Sequence, residues 1–147
     1  MIAIGSDHGG FELKEALKKH FDEIGVAYED FGCHDTNSID YALIAKKVCG
    51  AITEGKCDKG ILVCGTGIGM SMAANKFKGI RAAVCGDCFS AKFTRLHNDA
   101  NVLCLGARVV GAGLATEIAD LYINTPFEGG RHARRVAQIT EIENGTF

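Results

Sequence analysis

The chain has 147 residues, enough for one domain with a genuine buried core, and 47% of them are hydrophobic against 23% charged. Its net charge of -2 excludes the broad positive field of a nucleic-acid or acidic-membrane binder, so any anionic ligand must be met by a local cluster of cations. No apolar run is long enough to span a bilayer, and Met1-Ile2-Ala3-Ile4-Gly5 lacks the charged start and longer apolar core of a secretion signal.

Short apolar runs alternate with amphipathic segments of helical length. Met1 to Ile4 reads as a buried strand, and Phe11 to Ile24 as a helix with Leu13, Leu17, Phe21 and Ile24 on one face. Glu15 and Lys19 are spaced to pair on its wet side, and Gly25 is its stop signal. Val26 to Phe31 is a more polar strand suited to a sheet edge. Asp40 is placed to cap a helix carrying Ile44, Val48 and Ile52 and closed by Gly55. The alternation continues with a strand at Gly60–Cys64 and a helix from about Ile68 to Lys76. A strand at Ala82–Cys85 precedes a helix of roughly Phe89 to Leu96, and a strand at Val102–Leu105 precedes a helix at Leu114–Ile123. After Pro126 comes a last helix, about 131–143. There is no linker, repeat or low-complexity segment, so residues 1–147 read as a single domain.

Five strands alternating with helices predict an α/β fold: a five-stranded parallel sheet in a three-layer αβα sandwich, Rossmann- or flavodoxin-like, with strand order 2-1-3-4-5. In that order the first and third strands meet at the switch point, where ligands bind beyond the carboxyl ends. The loops leaving them carry Asp7-His8-Gly9-Gly10 and Cys64-Gly65-Thr66-Gly67-Ile68-Gly69, so topology alone sends the two most chemical loops into one crevice.

In the second loop, closely spaced glycines let backbone N–H groups point outward at the positive end of a helix, which forms an anion site and favours a thiolate at its base. It is not a P-loop, because no Gly-Lys-Ser/Thr follows. It is also an imperfect dinucleotide fingerprint, with Met70 in place of the third glycine. The bland alternative is a structural turn with one more buried cysteine. Asp7-His8 offers a carboxylate and an imidazole, a pair that serves as often as a helix cap as in a working site. Arg131 and Arg135 share a helical face and suit the forked hydrogen bonds of a phosphate monoester, although an isolated pair of this kind is usually a solvated face. His97-Asn98 suits a helix C-terminus. Cys85-Gly86-Asp87-Cys88 is a C-x-x-C, but no second Cys/His pair stands at zinc spacing, and incidental thiols are the stronger reading. The odd cysteine count of seven, in spacings unlike a stapled fold, predicts free thiols and a cytoplasmic protein.

Taken in order, these pieces resemble the type B ribose-5-phosphate isomerases, the family that also includes allose- and galactose-phosphate isomerases. The resemblance runs through Gly5 to Phe11, Asp40-Tyr41, Ile61 to Gly69, Ala73 to Lys76, Gly79 to Ala82, His97-Asn98-Asp99, Arg108 to Gly111 and Glu128 to His132. It implies that Cys64 moves a proton between C1 and C2 of a sugar phosphate, with the Thr66 hydroxyl assisting and His97 opening the furanose ring. Backbone amides of Gly65, Thr66, Gly67, Ile68 and Gly69 would hold the enediolate oxygen. Asp7 and Asn98 would support the sugar, Tyr41 would line the pocket, and His8, Arg108, Arg131 and Arg135 would serve the phosphate. An aldose–ketose interconversion needs one base reaching two carbons and donors aimed at developing charge, and the loop supplies both. A metal-dependent hydride shift needs a cluster of carboxylates and histidines that the sequence does not assemble, so neither metal nor cofactor is expected.

The helix before His97 runs back antiparallel to the strands, and its roughly ten residues cover about 15 Å. His97 should therefore emerge at the end of the sheet away from Cys64. A homodimer with a shared active site follows as an expectation, alone or paired into a tetramer, with the C-terminal helix (about 131–143) at its interface. Three other readings compete. A six-carbon substrate such as allose 6-phosphate would use the same chemistry. A non-catalytic phosphate- or nucleotide-binding module would tolerate loss of Cys64. A thiol-redox protein would depend on Cys85 and Cys88.

Overall fold

The computed structural model describes residues 1–147. Strands β1 (Ile2–Ser6), β2 (Tyr28–Asp30), β3 (Lys59–Cys64), β4 (Ala82–Val84) and β5 (Val102–Gly106) alternate with helices α1 (Phe11–Ile24), α2 (Tyr41–Thr53), α3 (Ile68–Ala74), α4 (Cys88–Asn98) and α5 (Ala112–Asn124), and α6 (Arg131–Asn144) closes the chain. A single 3-10 turn, His8–Gly10, joins β1 to α1.

All strand pairs are parallel, and the order is β2-β1-β3-β5-β4. The expected order 2-1-3-4-5 is therefore wrong in its last two places, and burial explains why. Val102-Leu103-Cys104-Leu105 is fully enclosed and must have a strand on each side, whereas Ala82-Ala83-Val84 is short, small and half exposed. Only the second can bear an edge without leaving large apolar side chains in water. The switch point is untouched by the exchange, because β1 still lies beside β3. Ser6 is level with Val63, so the loops leaving the two strands open side by side.

Alternate strand residues feed two cores. One face of the sheet (Ile4, Ile61, Val63, Leu103, Leu105) packs against Leu13, Leu17 and Phe21 of α1, Ala91 of α4, and Ala115, Ile118 and Tyr122 of α5. The other (Ala3, Leu62, Cys64, Cys104) meets Ile44, Val48 and Cys49 of α2 and Met70 and Ala74 of α3. Ile24, expected on the buried face of α1, is instead half exposed, one residue before the left-handed cap Gly25. Glu15 pairs with Lys18 at 3.0 Å rather than with Lys19. Asp40 holds the N-cap position of α2 but makes no capping bond. On α6 only His132 is buried, and Ile139 and Ile142 face outward.

One buried charge of the fold is Lys14 on α1. Lys14, fully enclosed, donates to Asp30 Oδ2 and to the Cys33 carbonyl, both at 2.6 Å, and Lys18 reaches the same Asp30 oxygen at 2.8 Å. The two ammonium groups and the Gly32 N–H hold the Asp30 carboxyl below its ordinary range against the desolvation that would raise it.

Candidate active site

Cys64 ends β3 and is the last buried residue before the glycine loop. The Gly67 N–H donates to its Sγ at 3.1 Å. Gly67 can aim that N–H because it sits at φ 80° as the N-cap of α3, a conformation costly for any other residue. The Thr66 hydroxyl accepts from the Ile68 N–H at 3.2 Å, satisfying one of the orphan donors of α3. The loop is clamped onto the segment after β5: the Cys64 carbonyl accepts from the Ala107 N–H at 2.8 Å and the Gly65 carbonyl from the Arg108 N–H at 3.0 Å.

Three further expected residues converge here. A Cβ on Gly69 would overlap the Tyr41 ring, 2.9 Å from its Cζ, so Tyr41 lies directly against the loop. A Cβ on Gly65 would lie 3.8 Å from Arg108 Nε, and one on Gly9 would lie 3.6 Å from the Gly65 nitrogen. The first and third loops thus touch. His8, Gly9 and Arg108 line one cleft of about 430 Å³. His8 Nδ1 accepts from the Ile39 N–H at 3.2 Å. Asp7 does act as a cap, its Oδ1 accepting from the Gly10 N–H at 3.1 Å.

His97, Asn98, Arg131 and Arg135 form a second group elsewhere. His97 and Asn98 lie within the last turn of α4 rather than beyond it, and the left-handed cap is Asp99 (φ 47°), not Asn98. Arg95 and Arg81 hold this end: Arg95 donates to Asp99 Oδ1 at 2.8 Å and to the Ala100 carbonyl at 2.6 Å, and Arg81 donates to the Asn98 and Asp99 carbonyls at 3.2 Å. The Arg81 carbonyl in turn accepts from the N–H groups of Asn101 and Val102, where β5 begins. Val102 is level with Gly60, and Gly106 with Cys64. Four steps of about 3.3 Å put roughly 13 Å of sheet between the levels of the two groups, beyond the reach of an imidazole. Within one chain the structure separates His97 from Cys64.

The structure also assembles what the sequence did not reveal, a cluster of two histidines and a carboxylate. His97 Nε2 lies 3.6 Å and His132 Nε2 3.9 Å from Glu128 Oε2, with ligand-type atoms mutually within 4.8 Å. The spacing is compatible with a metal, but the ring geometry is not. The two imidazoles stack 4.0 Å apart at 10°, so their in-plane lone pairs run side by side instead of meeting at one point. Burial and the neighbouring His97, Arg131 and Arg135 hold the His132 imidazole below its ordinary range despite Glu128, so it is neutral at neutral pH. Glu128 and His132 stand in the quoted Glu128-to-His132 motif, but their fit to His97 spans 31 and 35 positions and no periodicity announces it.

All seven cysteines are free. Burial pushes Cys85 up to about 11 and Cys49 up to about 12, and Cys88 is also raised by desolvation and by its contact with Glu117. A redox pair works through a depressed thiol, and neither Cys85 nor Cys88 is shifted in that direction.

Residues 2–139 match the family described as Ribose/Galactose Isomerase. The chain is 50% identical over 142 residues to ribose-5-phosphate isomerase B of Escherichia coli (strain K12), covering 97% of this chain and 95% of that one. Among solved structures it is similar to ribose-5-phosphate isomerase B of Clostridium thermocellum, with TM-score 0.96, 50% identity and 99% of each chain covered. It is likewise similar to that of Mycoplasma genitalium, solved with bound ribulose-5-phosphate, with TM-score 0.92, 38% identity and 97% and 95% of the two chains covered.

Proposed function

The chain belongs to the ribose/galactose isomerase family, and from that premise we propose that it interconverts ribose 5-phosphate and ribulose 5-phosphate by proton transfer through a cis-enediolate, without a cofactor. The observation that carries the reading is the Cys64 sulfur, held at 3.1 Å by the Gly67 N–H in a loop of glycine amides at a helix start. In the open aldehyde form, Cys64 as thiolate takes the proton from C2. The C2–H electron pair becomes the C1=C2 bond, and the carbonyl pair moves onto O1, where the Gly65–Gly69 amides not already bound to Cys64 and Thr66 receive the charge. The C1=C2 pair then takes the proton back from the thiol at C1, the O2–H pair becomes the C2=O2 bond, and the O2 proton passes to O1 with the Thr66 hydroxyl as its relay. Tyr41, against Gly69, walls the sugar, and Asp7 supports it. His97 opens the furanose ring, and Asn98 holds a sugar hydroxyl.

Since His97 lies at the far end of its own sheet, the complete site is shared across a two-fold dimer. The phosphate is gripped from both sides, by His8 and Arg108 from the chain that supplies Cys64 and by Arg131 and Arg135 from the chain that supplies His97. Supporting this are the apolar side chains that one chain leaves uncovered: Met72, Val84 and Phe89 beside the two half-sites, and Ile139 and Ile142 on α6, the helix assigned to the interface. Seven free thiols suit a reducing cytoplasm, and no helix is long and apolar enough to cross a membrane.

The test is turnover of ribose 5-phosphate and allose 6-phosphate by wild type and Cys64→Ala. Loss of a general base costs on the order of 10²–10⁴-fold, and the five-carbon substrate should be preferred. Full turnover by Cys64→Ala would sink the assignment of the base.

A further inference from the structure

We propose that Glu128 and His132 are positioning residues for His97, fixing the plane and the tautomer of its imidazole so that one nitrogen stays free to open the sugar ring. The inference rests on the isomerase reading above and adds two residues that otherwise have no part in it.

The His97 ring is held on three sides. The His132 ring covers its face at 4.0 Å and 10°, the Phe93 ring meets it edge-on at 4.9 Å and 77°, and Glu128 Oε2 stands 3.6 Å from its Nε2. The backbone builds this arrangement. The Glu128 N–H donates to the Leu96 carbonyl at 3.0 Å, stitching the carboxylate to the last turn of α4. Gly129 and Gly130, both at positive φ, reverse the chain so that α6 starts with His132 over His97. His132 is over nine-tenths buried, and its Nε2 has no hydrogen-bond partner. An unpaired buried polar atom is destabilising, so a plain packing role would be better filled by a phenyl or isobutyl group.

Ring opening needs this kind of support. The hemiacetal gives its O1 proton to the free His97 nitrogen, and the O1–H electron pair becomes the C1=O1 bond. The C1–O4 pair leaves onto O4, which takes a proton back from the imidazolium. One nitrogen must therefore change protonation twice while the other stays put. A carboxylate 3.6 Å from the second nitrogen, at ion-pair rather than hydrogen-bond distance, favours the proton there and steadies the cation that forms between the two transfers. Neutral His132 adds a stacked face without adding a repelling charge.

A test that isolates ring opening is available, because ribulose 5-phosphate has its O5 blocked and stays open-chain. Exchange of its C1 proton with D₂O, followed by NMR, needs Cys64 and the enediolate amides but not His97. For Glu128→Gln, an isosteric change at a half-exposed side chain, kcat for ribose 5-phosphate should fall on the order of tenfold or more with KM little changed. C1 exchange in ribulose 5-phosphate should stay near the wild-type rate. His132→Phe, which keeps a stacked ring, should retain more ribose 5-phosphate turnover than His132→Ala. Turnover and exchange falling in parallel, or neither changing, would overturn the positioning role. A wild-type protein that neither converts ribose 5-phosphate nor exchanges the C1 proton would instead bring down the isomerase reading, and the positioning role with it.

Discussion

Cys64→Ala and His97→Ala are each expected to abolish most activity, but for reasons that lie in different halves of the site. About 13 Å of sheet separates their levels within one chain, because Cys64 is level with Gly106 while the end of α4 is tied to the start of β5. Suppose the two inactive proteins are unfolded, mixed in equal amounts and refolded into two-fold dimers. Half of the dimers are then mixed. Each mixed dimer has one site with Cys64 from one chain and His97 from the other, both intact, and a second site with both groups missing. One site in four across the population is whole, so specific activity should recover to about a quarter of wild type. If each site drew both residues from one chain, every site would lack one of them and recovery would be nil. The assay is ribose 5-phosphate turnover before and after mixing, with differently tagged chains to confirm mixed dimers. Mixed dimers with no recovered activity would refute the shared site.

The same mixture separates the cations. Adding Arg131→Ala or Arg135→Ala to the Cys64→Ala chain should raise KM of the rescued site on the order of tenfold, since forked arginine–phosphate bonds are among the stronger hydrogen bonds, and adding it to the His97→Ala chain should not. Arg108→Ala should show the opposite pattern. Lys14→Met removes an enclosed ammonium from Asp30 and Cys33. Breaking such a buried pair costs about 3–5 kcal/mol, and because Lys18 still reaches Asp30 the lower end is expected, a Tm loss of roughly 6–12 °C, measured by calorimetry. The Asp30 carboxyl is depressed in the fold, so its contribution is present above the unfolded value and lost as pH falls through the folded one. Denaturation midpoints should therefore drop below about pH 4, and Asp30→Asn should flatten that dependence.

Much of the fold was legible because α1, α2 and α5 carry apolar faces that pack on the sheet, and glycines stand at the ends of α1 and α6. The bounds of α1, Phe11–Ile24, were read to the residue from Leu13, Leu17, Phe21 and the Gly25 stop. The strand order was legible only as far as β3. Periodicity records which residues want burial but not which strand stands beside which, and the exchange of β4 and β5 turned on comparing a three-residue alanine strand with a fully enclosed one. The partners of Asp30 were missed for a related reason. Lys14 looks like a wet-side residue of an amphipathic helix until Asp30 and the Cys33 carbonyl arrive from beyond its end.

The site divides along the same line. The placement of Cys64 and Asp7-His8 was legible because a parallel sheet sends all carboxyl ends to one edge. The neighbours of His97 were not: Glu128 is one more acidic loop residue until its N–H is seen bonded to the Leu96 carbonyl and its carboxylate 3.6 Å from His97. Counting helix residues did yield the most consequential geometric fact, that His97 and Cys64 lie at opposite ends of one sheet. On the proposed mechanism, that separation makes each chain two half-sites. One end carries Cys64, its glycine amides, His8 and Arg108; the other carries His97 with its Glu128 and His132 support, Arg131 and Arg135. Neither end holds both a proton-transfer base and a ring-opening acid, so an isolated chain should be inactive and turnover should fall with dilution wherever dimers dissociate. Enzyme-concentration dependence of specific activity, alongside sedimentation, measures both quantities at once, and a monomer with full specific activity would contradict the division of labour.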